Sequence, residues 1–307
     1  MILFSNSKNI YKANMHCHTT ISDGKFSPFE IKEIYKKQGY NIIAFTDHDE
    51  LVVHDYLNDK DFLAINSIEI AINAKMPDQS FRDVPCYHFN LYAARPDMAA
   101  PQLPDMSYDD IDAINEYINN RNNEGFLVCY NHPYWSMQTY KDYAGLKNCF
   151  AMEIYNHGCE VTDGYYGYNP QVYDEMLRTG HHLNCFSTDD NHNWNKGVAD
   201  SFGGFININS DSLSYKDIMD SLQKGDFYSS QGPEIYEILL EDDILNIKSS
   251  PVEIIVVYTK DRKCYNKVKV GENLTQASFK LVGNDGYIRV MCRDKNKKDA
   301  NSNAYII

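Results

Sequence analysis

The chain is short of positive charge. Its 307 residues carry 29 Lys and Arg against 43 Asp and Glu, a formal net charge of −14 at pH 7. Nucleic-acid backbones and anionic membranes are bound through clustered cations, so neither is expected as the main partner. Long apolar runs are also missing: nothing approaches the ~18 residues a membrane span requires. Met1–Tyr11 has no basic segment followed by an apolar one, so no secretory signal is expected. Cys-x-x-Cys pairs are absent. The eight cysteines (Cys17, Cys86, Cys129, Cys149, Cys159, Cys185, Cys264 and Cys292) are scattered, several within apolar runs. They read as reduced core thiols of a cytoplasmic protein. No repeat and no low-complexity tract appears.

What is present fits a globular protein with a substantial core. The hydrophobic fraction is 43%, and the length suits one large domain plus a small one. Strand-like and helix-like patterns alternate over most of the chain, an α/β signature. Strands are expected at Lys12–His16, Asn41–Thr46, Phe62–Ile70, Cys86–Ala93, Phe126–Asn131, Ala151–Asn156, Leu183–Thr188 and Gly204–Asn209. The clearest helix start is Ser27-Pro28-Phe29-Glu30, where Ser27 caps, Pro28 suits the first turn and Glu30 completes a capping box. Further helices are expected at Tyr108–Asn122, Pro170–Thr179 and Ser214–Lys224. The pattern changes near Gln231-Gly232-Pro233. Alternating runs then predict a small all-β domain over 233–307, with a hairpin turn at Asn284-Asp285-Gly286 and a polar loop from Lys295 to Asn303.

Histidines and acids recur where strands end. His16 and His18 flank Cys17, and residues two apart on a strand share a face. The pair can grip one ion while Cys17 points away. Asp23 follows on a loop. Thr46-Asp47-His48 ends the second strand and Glu69 lies near the end of the third. His88 sits within the fourth, His132-Pro133 follows the fifth, and Asp189-Asp190-Asn191-His192 follows the seventh. In a parallel barrel these ends converge on one face. Parity pairs Asp190 with His192 and favours Asp190 over Asp189 as the ligand. Donors limited to nitrogen and carboxylate suit Zn²⁺, Mn²⁺ or Fe²⁺. The nine candidates, His16, His18, Asp23, His48, Glu69, His88, His132, Asp190 and His192, exceed the needs of one ion. Two or three ions are expected.

In this order His16-x-His18, Ser22-Asp23-Gly24, Thr46-Asp47-His48, Glu69, His88, His132-Pro133 and Asp190-x-His192 resemble the PHP (polymerase and histidinol phosphatase) family of metal-dependent phosphoesterases. The resemblance covers about residues 11–232. It implies a distorted seven-stranded β/α barrel over 1–232 and up to three metal ions. It places His16, His18, Glu69 and Asp190 at the first ion. Glu69 would bridge to a second ion with His88 and His132, and Asp23, His48 and His192 would hold a third. The Met152–Asn156 segment and the C-terminal β domain resemble the stand-alone CehA/McbA-like branch more loosely.

The implied chemistry is hydrolysis of a small phosphomonoester or phosphodiester by a metal-activated water, with Asp47, Glu69 and His192 as the catalytic candidates. Lys25, Tyr134, Asn156 and His157 are candidate substrate contacts. Trp135 follows a strand end too, and Tyr134 and Trp135 both read as packing residues rather than base-stacking platforms; Arg82 and Arg95 are possible phosphate contacts. Hydrolysis of a carboxyl or carbamate ester at the same centre is an alternative, and a non-catalytic metal-containing binding module is another. His54, His157, His181 and His182 taken singly read as structural.

Overall fold

The structure, a computed structural model, describes residues 1–76, 79–80 and 83–307. Two strands open the chain, β1 (Ile2–Ser5) and β2 (Asn9–Asn14). Helix α1 (Pro28–Lys37) begins with the expected capping box: the Ser27 hydroxyl accepts from Glu30 N, and the Glu30 carboxylate accepts from Ser27 N. Its apolar stripe buries Ile31 and Tyr35 against Cys17, Ile43, Phe45 and Phe62. Cys17 therefore packs outward against α1, away from its two histidine neighbours.

A large mixed sheet follows. β2, β3 (Ile42–Phe45) and β4 (Leu63–Asn73) run parallel. β5 (Cys86–Ala93) is antiparallel to β4 and to β6 (Phe126–Tyr130). β6, β7 (Ala151–Asn156) and β8 (Asn184–Thr188) are parallel again. On its other side β2 pairs antiparallel with β9 (Phe205–Ser210), which pairs with β10 (Phe227–Ser230). One apolar cluster takes at least one residue from every strand of β2 to β10, including Ala13, Ile65, Cys129, Phe186, Ile206 and Phe227. This face of the sheet curves around a shared core. Helix α6 (Tyr215–Lys224) contributes Ile218, Met219 and Leu222 to the same cluster. Helices α2 (Ile111–Glu124) and α5 (Pro170–Arg178) pack on the outer face.

Among the described strands, β8 and β9 share no ladder. They are joined instead by one side chain. The Asp189 carboxylate accepts from the backbone N–H groups of Phe202, Gly203 and Gly204, each at 2.8 Å, and from the Tyr35 hydroxyl. Gly204 permits the approach, because a Cβ there would lie 2.1 Å from the Thr188 carbonyl oxygen.

The C-terminal strands divide between two sheets. β11 (Ile235–Glu241) turns through Asp242 and Asp243, both at positive φ, into β12 (Ile244–Val252). With β15 (Leu274–Lys280) and the N-terminal β1 they form a four-stranded sheet. β13 (Ile254–Thr259), β14 (Cys264–Val268) and β16 (Tyr287–Arg293) instead extend the large sheet, because β17 (Asp299–Ser302) inserts between β10 and β16. Two expectations are corrected. Asn284-Asp285-Gly286 is a crossing between the two sheets, not a hairpin turn, since β15 and β16 do not pair. Lys295–Asn303 is not all loop: Asp299–Ser302 is a buried strand whose small polar residues are satisfied there, Asp299 by Arg293 and Asn301 by Arg289.

Arg289 on β16 fastens this region to α5. It is 2% exposed and makes two hydrogen bonds, of 2.6 and 2.8 Å, to Asp174. Removing one partner strands a buried charge. Asp174→Ala is expected to lower the unfolding free energy by about 3–5 kcal/mol, read from denaturant titration.

Candidate metal centre

The centre is built on Glu69, 1% exposed in the middle of β4. Five imidazoles surround its carboxylate. Oε1 lies 3.3 Å from His16 Nε2, 3.0 Å from His88 Nδ1 and 3.4 Å from His132 Nε2. Oε2 lies 3.3 Å from His18 Nε2 and 3.1 Å from His48 Nδ1. Asn131 Nδ2 donates to Oε1 at 2.9 Å. Burial pushes the Glu69 pKa up, but His16, His88 and His48 outweigh it and hold the carboxyl well below its ordinary value.

The elements explain the convergence. β2 stops at Asn14, two residues short of the expected end, because the Asn14 side chain accepts from the backbone N–H groups of His16 and Asp189. His16 and His18 then extend past the strand, with Cys17 bridged in parallel to Asn191 between them. That bridge sets Asp190 and His192 beside the first pair. Asp190, at positive φ, puts Oδ1 3.2 Å from His16 Nε2 and 3.1 Å from His18 Nε2. Asp189 turns to the opposite side, where it holds β9. His88 reaches the centre from an antiparallel strand, facing Ala71 two residues beyond Glu69. The remaining candidates gather at the open end. Asp23 Oδ1 lies 3.4 Å from His192 Nε2, 3.8 Å from His18 Nδ1 and 3.9 Å from His48 Nε2.

The donor set suits cations. His16 Nδ1 donates to Glu153 Oε1 at 2.7 Å, so a neutral His16 presents its Nε2 lone pair. That lone pair faces His18 Nε2 at 3.1 Å and two carboxylate oxygens. Electron pairs crowded in this way need a proton or a metal ion between them. His18 Nδ1 is buried with no hydrogen-bond partner. Donor atoms of His18, Asp23, His48 and His192 lie within 4.8 Å of one another, as do those of His16, His18 and Glu69, and those of Glu69, His88 and His132.

Other candidates are placed differently. The Asp47 carboxylate accepts from Thr19 N, Thr19 Oγ1, Ser22 N and Ser22 Oγ. It organises the loop that carries Asp23. Asn156 spends its amide on Glu153 and Asp190 and its carbonyl on capping α4 (His157–Thr162), so it supports the centre from below. His157 meets Tyr155 and packs over Gly203, away from the cavity. Lys25 Nζ donates to the Asp23 carbonyl and lies 4.4 Å above the Trp194 ring. Tyr134 lines the cavity over the centre, which measures about 1220 Å³. Arg95 lies beside Asp97 on the surface, and Arg82 falls outside the described residues. His54 is buried against Phe45 and neither lines the cavity nor belongs to a donor group of the centre.

Glu153 supports the ligands and pairs with no Lys or Arg among the described residues. It is fully buried and holds His16 Nδ1, Thr188 Oγ1, His132 N and Asn156 Nδ2. The participation of Asn131 had no signal beyond its place before His132.

No family model matches the sequence, and no curated protein matches it. Similar solved structures exist. A two-domain protein from Bacteroides vulgatus containing a predicted PHP-like metal-dependent phosphoesterase aligns over 100% of this chain and 97% of its own, at 15% identity and a TM-score of 0.50. A proposed metal-dependent phosphoesterase from Bifidobacterium adolescentis aligns over 59% of this chain and 87% of its own, at 13% identity and a TM-score of 0.39. The first likeness is one of fold, and it extends over both halves of the chain. The chain has the fold of the PHP-like metal-dependent phosphoesterases.

Protons and metal ions compete for these donors. Burial lowers the His18 pKa, but hydrogen bonds to Asp190 and Glu69 carry it up to about 9 in the metal-free protein. Charged His18 thus stabilises the metal-free fold fully below its unfolded value of about 6.5, and that contribution is lost as pH rises through about 9. Metal binding must displace the proton. Mn²⁺ affinity measured by calorimetry is expected to rise between pH 6.5 and 8.5, with net proton release at pH 7.5 shown by its dependence on buffer ionisation enthalpy.

Proposed function

We propose that the chain is a metal-dependent hydrolase acting on a small phosphomonoester or phosphodiester. The observation that carries this reading is a buried carboxylate, Glu69, within 3.0–3.4 Å of five imidazoles and open to one cavity. In this reading residues 1–232 form a distorted seven-stranded PHP-type barrel, which the shared core of β2 to β10 supports. Residues 233–307 form a small C-terminal β domain. Seven of the eight cysteines are buried and none is paired, which supports a cytoplasmic location.

Two or three ions of zinc, manganese or iron would be held by His16, His18, Glu69 and Asp190, by Glu69, His88 and His132, and by Asp23, His48 and His192. When bound, they supply Lewis acidity and a water nucleophile available near neutral pH. The chain supplies the rest. Glu69 faces histidines of all three sets, Oε1 toward His16, His88 and His132 and Oε2 toward His18 and His48. Glu153 holds His16 in the tautomer that leaves Nε2 free. His192 sits at the solvent end beside Asp23, and Lys25 donates to the Asp23 carbonyl without lining the cavity. Asp47 acts as a positioning residue through Thr19 and Ser22.

An uncharged carboxyl or carbamate ester is the second reading. Among the described residues no Lys or Arg lines the cavity, which suits such a substrate. Phosphoester and ester panels run with Mn²⁺- or Zn²⁺-loaded protein distinguish the two. Phosphate or alcohol released from phosphoesters is expected, and a blank phosphoester panel would sink the first reading. Metal analysis is expected to give at least two ions per chain, and fewer than one would favour a binding module.

Glu69→Gln keeps the side-chain shape and removes the charge. It is expected to lower activity by more than about a hundredfold, beyond the 10–100-fold typical of groups that only support a ligand. His54→Ala is expected to leave metal content unchanged. The reverse pattern in paired assays would refute the site.

A further inference from the structure

Polar chemistry occupies the floor of the cavity, but much of its rim is aromatic. Tyr134, Trp135 and Met137 follow β6 on the loop after His132, and Tyr166 follows α4 across from them. Tyr134 is 55% exposed, Met137 48% and Tyr166 42%. Singly such residues are unremarkable, but gathered at the mouth of one cavity they form the kind of exposed apolar patch that marks a ligand site. The wall is ordered. Tyr134 and Tyr166 pack edge to face with centroids 4.8 Å apart. The Trp135 indole N–H donates to Asp163 Oδ2 at 3.0 Å, and its ring stands against His88 and His132 at 5.7 and 5.0 Å. The chain has two tryptophans, and both line this cavity. Trp194 stacks parallel to His192 at the opposite, Asp23 end of the centre, with rings 5.6 Å apart and 6° from parallel.

Charge narrows the ligand further. The described lining includes Asp49, Asp163 and Asp200 and no Lys or Arg. A second phosphate or carboxylate on the substrate would meet acids there. A planar, uncharged ring would meet π faces and a thioether instead. The volume of about 1220 Å³ leaves room for such a group beside the centre.

We infer that Tyr134, Trp135, Met137 and Tyr166 form a specificity subsite for an aromatic ring carried by the organic part of an ester with a single anionic head. The inference rests on the proposed hydrolase reading and adds the class of group beyond the scissile bond. The substrate has one anionic head at the metal centre and an uncharged aromatic body against the wall.

Two phosphonates of equal charge test it, benzylphosphonate and methylphosphonate, neither of which can be hydrolysed at its P–C bond by an attacking water under assay conditions. Binding to metal-loaded protein is read by intrinsic fluorescence, since both tryptophans report on the cavity, and by calorimetry. Benzylphosphonate is expected to bind at least roughly tenfold more tightly, the scale of one stacked ring. In Tyr166→Ala and in Trp135→Ala that advantage is expected to shrink toward one, and circular dichroism and metal content check that each variant is folded and loaded. Equal affinities, or binding of neither probe, overturn the subsite. Phosphate release from benzyl phosphate is measured separately. A ring preference without phosphate release keeps the subsite and overturns the phosphoester reading, and release without a ring preference does the opposite.

Discussion

A carboxylate buried in the middle of a strand needs positive charge or several donated protons to be tolerated. Glu69 receives one amide N–H from Asn131 and is otherwise faced by imidazole nitrogens. Glu153, equally buried, shows the contrast. Its four donors come from two side chains of fixed protonation, a backbone amide and one histidine. Glu153 is satisfied by the polypeptide alone and serves as framework. Glu69 depends on whatever occupies the space between it and the histidines. The loops after β2, β6 and β8 and the pairing of β4 with β5 all deliver nitrogen to that space.

The candidate centre was largely legible in the sequence, because strand ends and side-chain parity are properties of the backbone. His16 and His18 share a side and Cys17 does not, as a period of two requires. Asp190 and Asp189 part company for the same reason, although the local backbone has left the strand. Asp47 was harder. A carboxylate beside a histidine reads as a proton carrier, and only the folded loop reveals that Thr19 and Ser22 take all of its capacity. Asn156 and His157 follow a strand end like true contacts, yet the turn into α4 directs one below the centre and the other behind it.

The fold was legible where apolar periodicity is strong, as in β5, β7 and α1. It was not where strands are short, polar or paired far away. Asp299–Ser302 has no apolar alternation, and its place in the sheet rests on Arg289, Arg293 and Ser302 side-chain bonds that no local pattern encodes. Ile2–Ser5 is an ordinary short run until β11 gives it a partner more than 230 residues away in sequence. Asn284-Asp285-Gly286 has the composition of a tight hairpin turn, but composition fixes only the bend and not which strands it joins.

The insertion of β17 between β10 and β16 bears on how the molecule is made. A ribosome delivers β10 long before β17, and until β17 arrives the edge of the large sheet at β10 has hydrogen-bonding groups without a neighbour. β1 likewise waits for β11. Sequence-distant pairings of this kind close slowly, since chain entropy must be lost before they form. The nascent chain therefore holds an open strand edge at β10 over the 68 residues between β10 and β17, and it is in that interval, more than in the finished fold, that the large sheet is open to aggregation and to the action of chaperones.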